Sequence, residues 1–189
     1  MPDATGRFVD ACRAANARAA SLDFPPFTTG LRTETPLNSA PYIFDLPSFR
    51  QTFGSSTRRL AIIESFVQAL DHLAACGAAW RMVLVGGSFI RPGPDPSDLD
   101  GLVVYDIDPA RAGAAGCALQ GFAAMTRSWP IDLRLCPADA GPLILVKRSI
   151  FFSNLFSYDR QCDRLVRGTL ILIPVAAATP SGAESGGRP

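Results

Sequence analysis

Three short apolar runs constrain this chain most: residues 81–86 (RMVLVG), 98–106 (DLDGLVVYD) and 130–136 (PIDLRLC). Each has strand length and is bounded by Gly, Pro or Asp, so each is predicted as a strand. Around them lie stretches with helix periodicity. Leu60, Ile63, Val67, Leu70 and Ala74 repeat every three or four residues along one face, with Ile62, Phe66, Ala69 and Leu73 widening the stripe. This predicts a buried helix over 57–76, capped by Ser55 or Ser56 and ended by Gly77. Residues 109–125 are Ala-rich and read as a second helix. A chain that alternates elements in this order must bury sheet faces under helices. The expected class is α/β, an α+β sandwich with a mixed β-sheet backed by helices.

The remaining segments carry weaker signals. Asp45 as N-cap, Pro47 in the first turn and Gly54 as a stop predict a short helix. Residues 5–20 read as an Ala- and Arg-rich helix, and 21–45, with Pro25, Pro26 and Pro36, as extended loop. Residues 142–147 (PLILVK) suggest a further strand, 148–158 (RSIFFSNLFSY) a buried helix and 164–173 a last strand. The tail 176–189 is low in complexity, which predicts disorder. The expected organisation is an arm over 1–44, one domain over 45–175, and the tail. Hydrophobic residues make up 48% and charged residues 19%, enough to build a core without disulfides.

Composition excludes several functions. The five Cys are widely spaced and form no CxxC pair, so neither a zinc cage nor a disulfide framework is expected. They read as small buried hydrophobes in a reducing cytoplasm. No leader pattern opens the chain, and the apolar stretch Leu170–Ala178 is interrupted by Pro174 and too short to span a bilayer. A cytoplasmic protein without membrane contact is expected. The formal net charge is +1, which argues against a nucleic-acid surface but leaves room for local phosphate sites. His72 is the only His and sits on the long helix, so no Ser–His or Cys–His nucleophile pair is in view.

Three carboxylates stand out. Asp98 and Asp100 are two apart on a predicted strand, which puts them on one face. Asp132 interrupts another apolar strand. Grouped carboxylates repel unless a cation lies among them. Mg²⁺ prefers such oxygen ligands together with substrate phosphates, and Mn²⁺ accepts the same set. Upstream, Gly86-Gly87-Ser88 follows a strand directly. Glycines there let backbone N–H groups approach an anion, and a helix behind them would add its dipole. Arg91 lies in the spacer between turn and carboxylates. Arg134 shares a face with Asp132 and either binds phosphate or pairs with an aspartate. Phe151, Phe152, Phe156 and Tyr158 fall at helix spacing and read as core, with base stacking as the alternative. Arg58-Arg59 at a helix start opposes the dipole, so a compensating partner is expected.

In this order, Gly86-Gly87-Ser88, Asp98-Leu99-Asp100 and Asp132 resemble the core motif of the DNA polymerase β-like nucleotidyltransferase superfamily. More narrowly, the chain is similar to small bacterial nucleotidyltransferase-like proteins. The quoted features are Phe53-Gly54 with Arg58-Arg59, Gly87-Ser88-Phe89, Pro94-Asp95-Pro96-Ser97-Asp98, and Tyr158-Asp159-Arg160 with Arg167-Gly168. The likeness runs from about residue 45 to 173. It implies the minimal fold of that superfamily and transfer of a nucleoside monophosphate from a nucleoside triphosphate to an acceptor hydroxyl, with pyrophosphate leaving. Gly86, Gly87, Ser88, Arg91 and Arg134 would then hold the nucleotide. Asp98, Asp100 and Asp132 would ligate Mg²⁺ or Mn²⁺ and carry the catalysis, with Asp132 as general base. Arg91 stands where the family often has Lys. No acceptor-binding domain is visible, so the acceptor, a small molecule or a protein, would be met with the help of a partner protein or a second copy. The alternative expectation is a non-catalytic nucleotide-binding or interaction subunit, for example one half of a toxin–antitoxin or defence pair.

Overall fold

The computed structural model describes residues 42–91, 94–159, 164–165 and 168–174. The expected N-terminal helix over 5–20, most of the loop over 21–45, and the tail lie outside these residues, as do Arg160 and Arg167. The elements are strand β1 (Tyr42–Asp45), helices α1 (Leu46–Phe53) and α2 (Thr57–Ala75), strands β2 (Ala78–Gly86) and β3 (Leu99–Ile107), helix α3 (Ala112–Met125), strand β4 (Ile131–Pro137), helix α4 (Pro142–Ser157), and strands β5 (Tyr158–Asp159), β6 (Arg164–Leu165) and β7 (Leu170–Ile173). Five strands form one mixed sheet in the order β1-β7-β2-β3-β4, while β5 and β6 form a separate ribbon. β1–β7 and β3–β4 are parallel; β7–β2 and β2–β3 are antiparallel. This is the expected mixed sheet with helices on its faces.

Local chemistry explains the first helices. The Asp45 carboxylate accepts from Ser48 N at 2.9 Å, Pro47 occupies the first turn, and Gly54 closes α1. Ser56 caps α2 by accepting from Arg59 N at 3.1 Å. Behind α2, Gly77 turns the chain at φ +96°, a conformation that favours glycine.

The sheet buries both faces, unequally. From Val83 onward, odd-numbered residues of β2 and β3, among them Val83, Val85, Leu99 and Val103, face the main core with α1, α2 and α3. Even-numbered residues Leu84, Leu102 and Cys136 face a smaller cluster covered by Phe156, Phe152 and Leu145 of α4. The period-two pleat thus separates a three-helix side from a one-helix side.

Four expectations change. Residues 42–45, expected as loop, form edge strand β1, because the Tyr42-Ile43-Phe44 run finds a parallel partner in β7. Residues 142–147, expected as a strand, are the first half of α4, with Pro142 opening the helix after Gly141 turns at φ +87°. The helix over 148–158 was expected to be buried. Phe156 is, but Phe151 is 58% exposed and Ile150 57%. The single strand over 164–173 is also divided into β6 and β7.

Candidate active site

The strand register assembles the site. Asp100 of β3 lies opposite Gly86 of β2 on one side and Asp132 of β4 on the other. All three positions fall on the α4 side of the sheet, the side of Leu84, Leu102 and Cys136. Paired residues on neighbouring strands are about 4.8 Å apart, so the two carboxylates stand side by side at one end of the sheet.

The glycines have different tasks. A Cβ on Gly86 would overlap Phe156 Cβ and lie 3.1 Å from Phe156 Cγ. Gly86 is therefore the seat on which α4 docks, and Gly87 N donates to Phe156 O at 3.1 Å. Gly87 turns the chain at φ +70°, and a Cβ there would run into the Asp100 carboxylate. The turn thus sits against Asp100 itself. Ser88 is exposed at its tip, and Ser88 O accepts from Arg91 N at 3.2 Å. Residues 87–90 make a single turn. No helix follows it among the described residues between β2 and β3, so no helix dipole adds to the turn.

Asp98 precedes β3 by one residue, just before the register with β4 begins, and Ser97 Oγ donates to its carboxylate at 2.8 Å. Asp132 Oδ2 accepts from Arg134 Nη2 at 3.0 Å. Arg134 therefore pairs with an aspartate, one of the two roles open to it from sequence. Among the described residues no group of three or more His, Cys, Asp or Glu is arranged to hold a metal ion. What the chain offers is the Asp100–Asp132 pair. That pair fits the way Mg²⁺ is usually held, by one or two carboxylates plus substrate phosphates.

Sequence reading gave Arg58 and Arg59 no specific role, and the structure does. Arg59 is 3% exposed. Its guanidinium donates to Phe89 O at 2.5 Å and Arg91 O at 2.8 Å, and it lies 5.4 Å from the centroid of the Phe89 ring. Burial lowers its pKa, and Asp95, at 3.9 Å, partly offsets this. Arg58 donates to Ser97 O at 2.6 Å, and Ser56 Oγ to Asp95 Oδ1 at 2.5 Å. The start of α2 therefore fastens both ends of the spacer between the Gly87 turn and Asp98. The dipole conflict at that helix start is answered by carbonyl oxygens of another segment. The available signal was the pair Arg58-Arg59 itself; its partners lie 30 or more residues away.

Residues 25–172 match the model of a protein family described as "Family of unknown function (DUF6932)". No curated protein and no solved structure matches the chain. No described helix is long and apolar enough to cross a membrane.

Proposed function

The chain belongs to this family of unknown function, and we propose that it is a Mg²⁺-dependent nucleotidyltransferase that moves a nucleoside monophosphate from a nucleoside triphosphate to an acceptor hydroxyl and releases pyrophosphate. One observation carries the reading: Asp100 stands in register between the glycine turn and Asp132, with the Gly87 turn against its carboxylate. A carboxylate beside that turn would repel a triphosphate. Mg²⁺, when bound, would supply the positive charge that offsets this repulsion. Asp100 and Asp132 are the residues that would hold it, with Asp98 close by on the same chain segment.

In this scheme the turn receives the triphosphate through the Ser88 backbone N–H and hydroxyl, because Gly87 N–H is held by Phe156 O. Asp132 accepts the acceptor's hydroxyl proton; its Oδ2 also accepts from Arg134. The acceptor oxygen forms a bond to the α-phosphorus. The bond from that phosphorus to the bridging oxygen breaks, and its electron pair leaves with pyrophosphate. Arg91 and Arg134 are the cations nearest in sequence to the turn and the general base, suited to steadying phosphate charge.

The test is stabilisation of the chain by each of the four nucleoside triphosphates, with and without Mg²⁺. Ligand at 100 times its Kd adds about 2.7 kcal/mol. The expected result is metal-dependent stabilisation by at least one triphosphate, lost in Asp100→Asn and in Asp132→Asn. Equal stabilisation of wild type and both variants, or none of wild type, overturns the proposal.

One observation favours a second reading, an interaction subunit. The outer side of α4 exposes Leu143, Val146, Ile150, Phe151 and Leu155, more apolar surface than an isolated helix face normally leaves to water. That reading expects a stable assembly with another chain and no turnover. A monomer by light scattering that turns over nucleotide by itself would dismiss it.

A further inference from the structure

On the same sheet face as the carboxylate pair lies a cleft of about 510 Å³ between β4 and α4. Its volume falls within the usual range for small-molecule sites, about 300–1,000 Å³. Three cations line it, Arg134, Lys147 and Arg148, and no carboxylate does. Two are already engaged: Arg134 donates to Asp132, and Arg148 Nη1 donates to Leu135 O at 2.8 Å. Lys147, the only Lys in the sequence, makes no hydrogen bond or ion pair among the described residues. Phe151 and Phe152 complete the wall, with ring centroids 5.1 Å apart and planes at 87°. Phe152 packs against the smaller core cluster while Phe151 stands exposed. Aromatic walls accept a flat body, and an uncommitted ammonium accepts one anionic group.

We propose that this cleft holds the acceptor, a small molecule with a flat aromatic body and a single anionic group. The acceptor role rests on the transfer reading above; the binding chemistry does not. Strand order supports the assignment. The Gly87 turn ends β2, the cleft lies along β4, and β3 with Asp100 separates them. Donor and acceptor then approach from opposite sides of the carboxylate row, as an in-line displacement requires. Arg134 links the two regions, because it lines the cleft and holds Asp132.

The probe is anilinonaphthalene sulfonate, a flat aromatic body with one anion, titrated by fluorescence against the full chain. Neutral phenylnaphthylamine serves as comparator. The expected result is saturable binding of one sulfonate probe per chain. Lys147→Glu should weaken it about tenfold or more and leave the neutral probe unchanged. Lys147→Arg should retain binding, and Phe151→Ala should weaken both probes. If Lys147→Glu leaves the sulfonate unaffected, or weakens both probes equally, the dye is only coating the apolar side of α4 and the cleft proposal falls. Asp100→Asn should abolish Mg²⁺-dependent nucleotide stabilisation while leaving probe binding intact, so the two readings fail separately. Displacement of the probe by Mg²⁺ and nucleoside triphosphate would make the cleft part of the donor site and overturn the acceptor assignment. Binding of both together supports it.

Discussion

Replacing Arg59 tests how the turn at the site is held. Its guanidinium reaches two carbonyl oxygens at the end of the turn: Phe89 O, which is buried, and Arg91 O, which is partly so. Hydrogen bonds to charged groups contribute about 1.5–3 kcal/mol each, and a buried acceptor left unpaired loses its hydration as well. Taking the upper figure for Phe89 O and the lower for Arg91 O, Arg59→Met should cost about 4.5 kcal/mol, while keeping most of the apolar stem. Arg59→Lys has one ammonium where the guanidinium forked, so it should cost about half as much. The contact with Asp95 is long, at 3.9 Å, and that carboxylate is half-exposed. Asp95→Asn should therefore cost under about 1 kcal/mol. Urea unfolding followed by the fluorescence of Trp80 and Trp129, with linear extrapolation, reads all three. Two results would refute the reasoning: Arg59→Lys as stable as wild type, or Asp95→Asn as damaging as Arg59→Met. The second would mean that the ion pair, and not the carbonyl fork, holds the turn.

Two further predictions follow from packing and burial. Gly86→Ala forces Phe156 Cβ, an atom fixed to the α4 backbone, away from the sheet; it should cost about 1–3 kcal/mol, and hydrogen exchange should quicken across 142–157 more than across α2. Burial raises the Tyr105 phenol pKa above its ordinary 10.0, with Cys136 and Asp139 adding to the rise and Arg148 opposing it. The folded value then exceeds the unfolded one, so this contribution to stability is complete below about pH 10 and is lost as pH climbs through the folded value. Tyr105→Phe should flatten that alkaline loss, read from urea midpoints between about pH 8 and pH 11; an unchanged slope would remove Tyr105 as its source.

Much of the fold could be read from local signals. The Asp45 cap, Pro47 and Gly54 delimit α1 because capping and proline geometry act within a few residues. The α2 stripe and the β2, β3 and β4 runs were legible for a similar reason, since each carries its apolar pattern within its own few residues. β1 escaped because four residues have too little pattern of their own and become a strand only beside β7. The first half of α4 was misread because Leu143 to Val146 is an apolar run that fits a strand as well as a helix. Only the Gly141–Pro142 junction tips it.

The candidate site divides along the same line. The residue types, the turn and the Asp-apolar-Asp spacing are properties of the chain and were visible in it. The pairing of Asp100 with Asp132 and Gly86 belongs to the register of three strands. A shift of one residue would have sent those side chains to opposite faces. The placement of Asp98 outside that register, the fork of Arg59 across 30 residues, and the cleft between β4 and α4 belong to tertiary structure alone. Sequence periodicity reports which face of an element is apolar; it carries no information about which distant backbone that face, or that guanidinium, will meet.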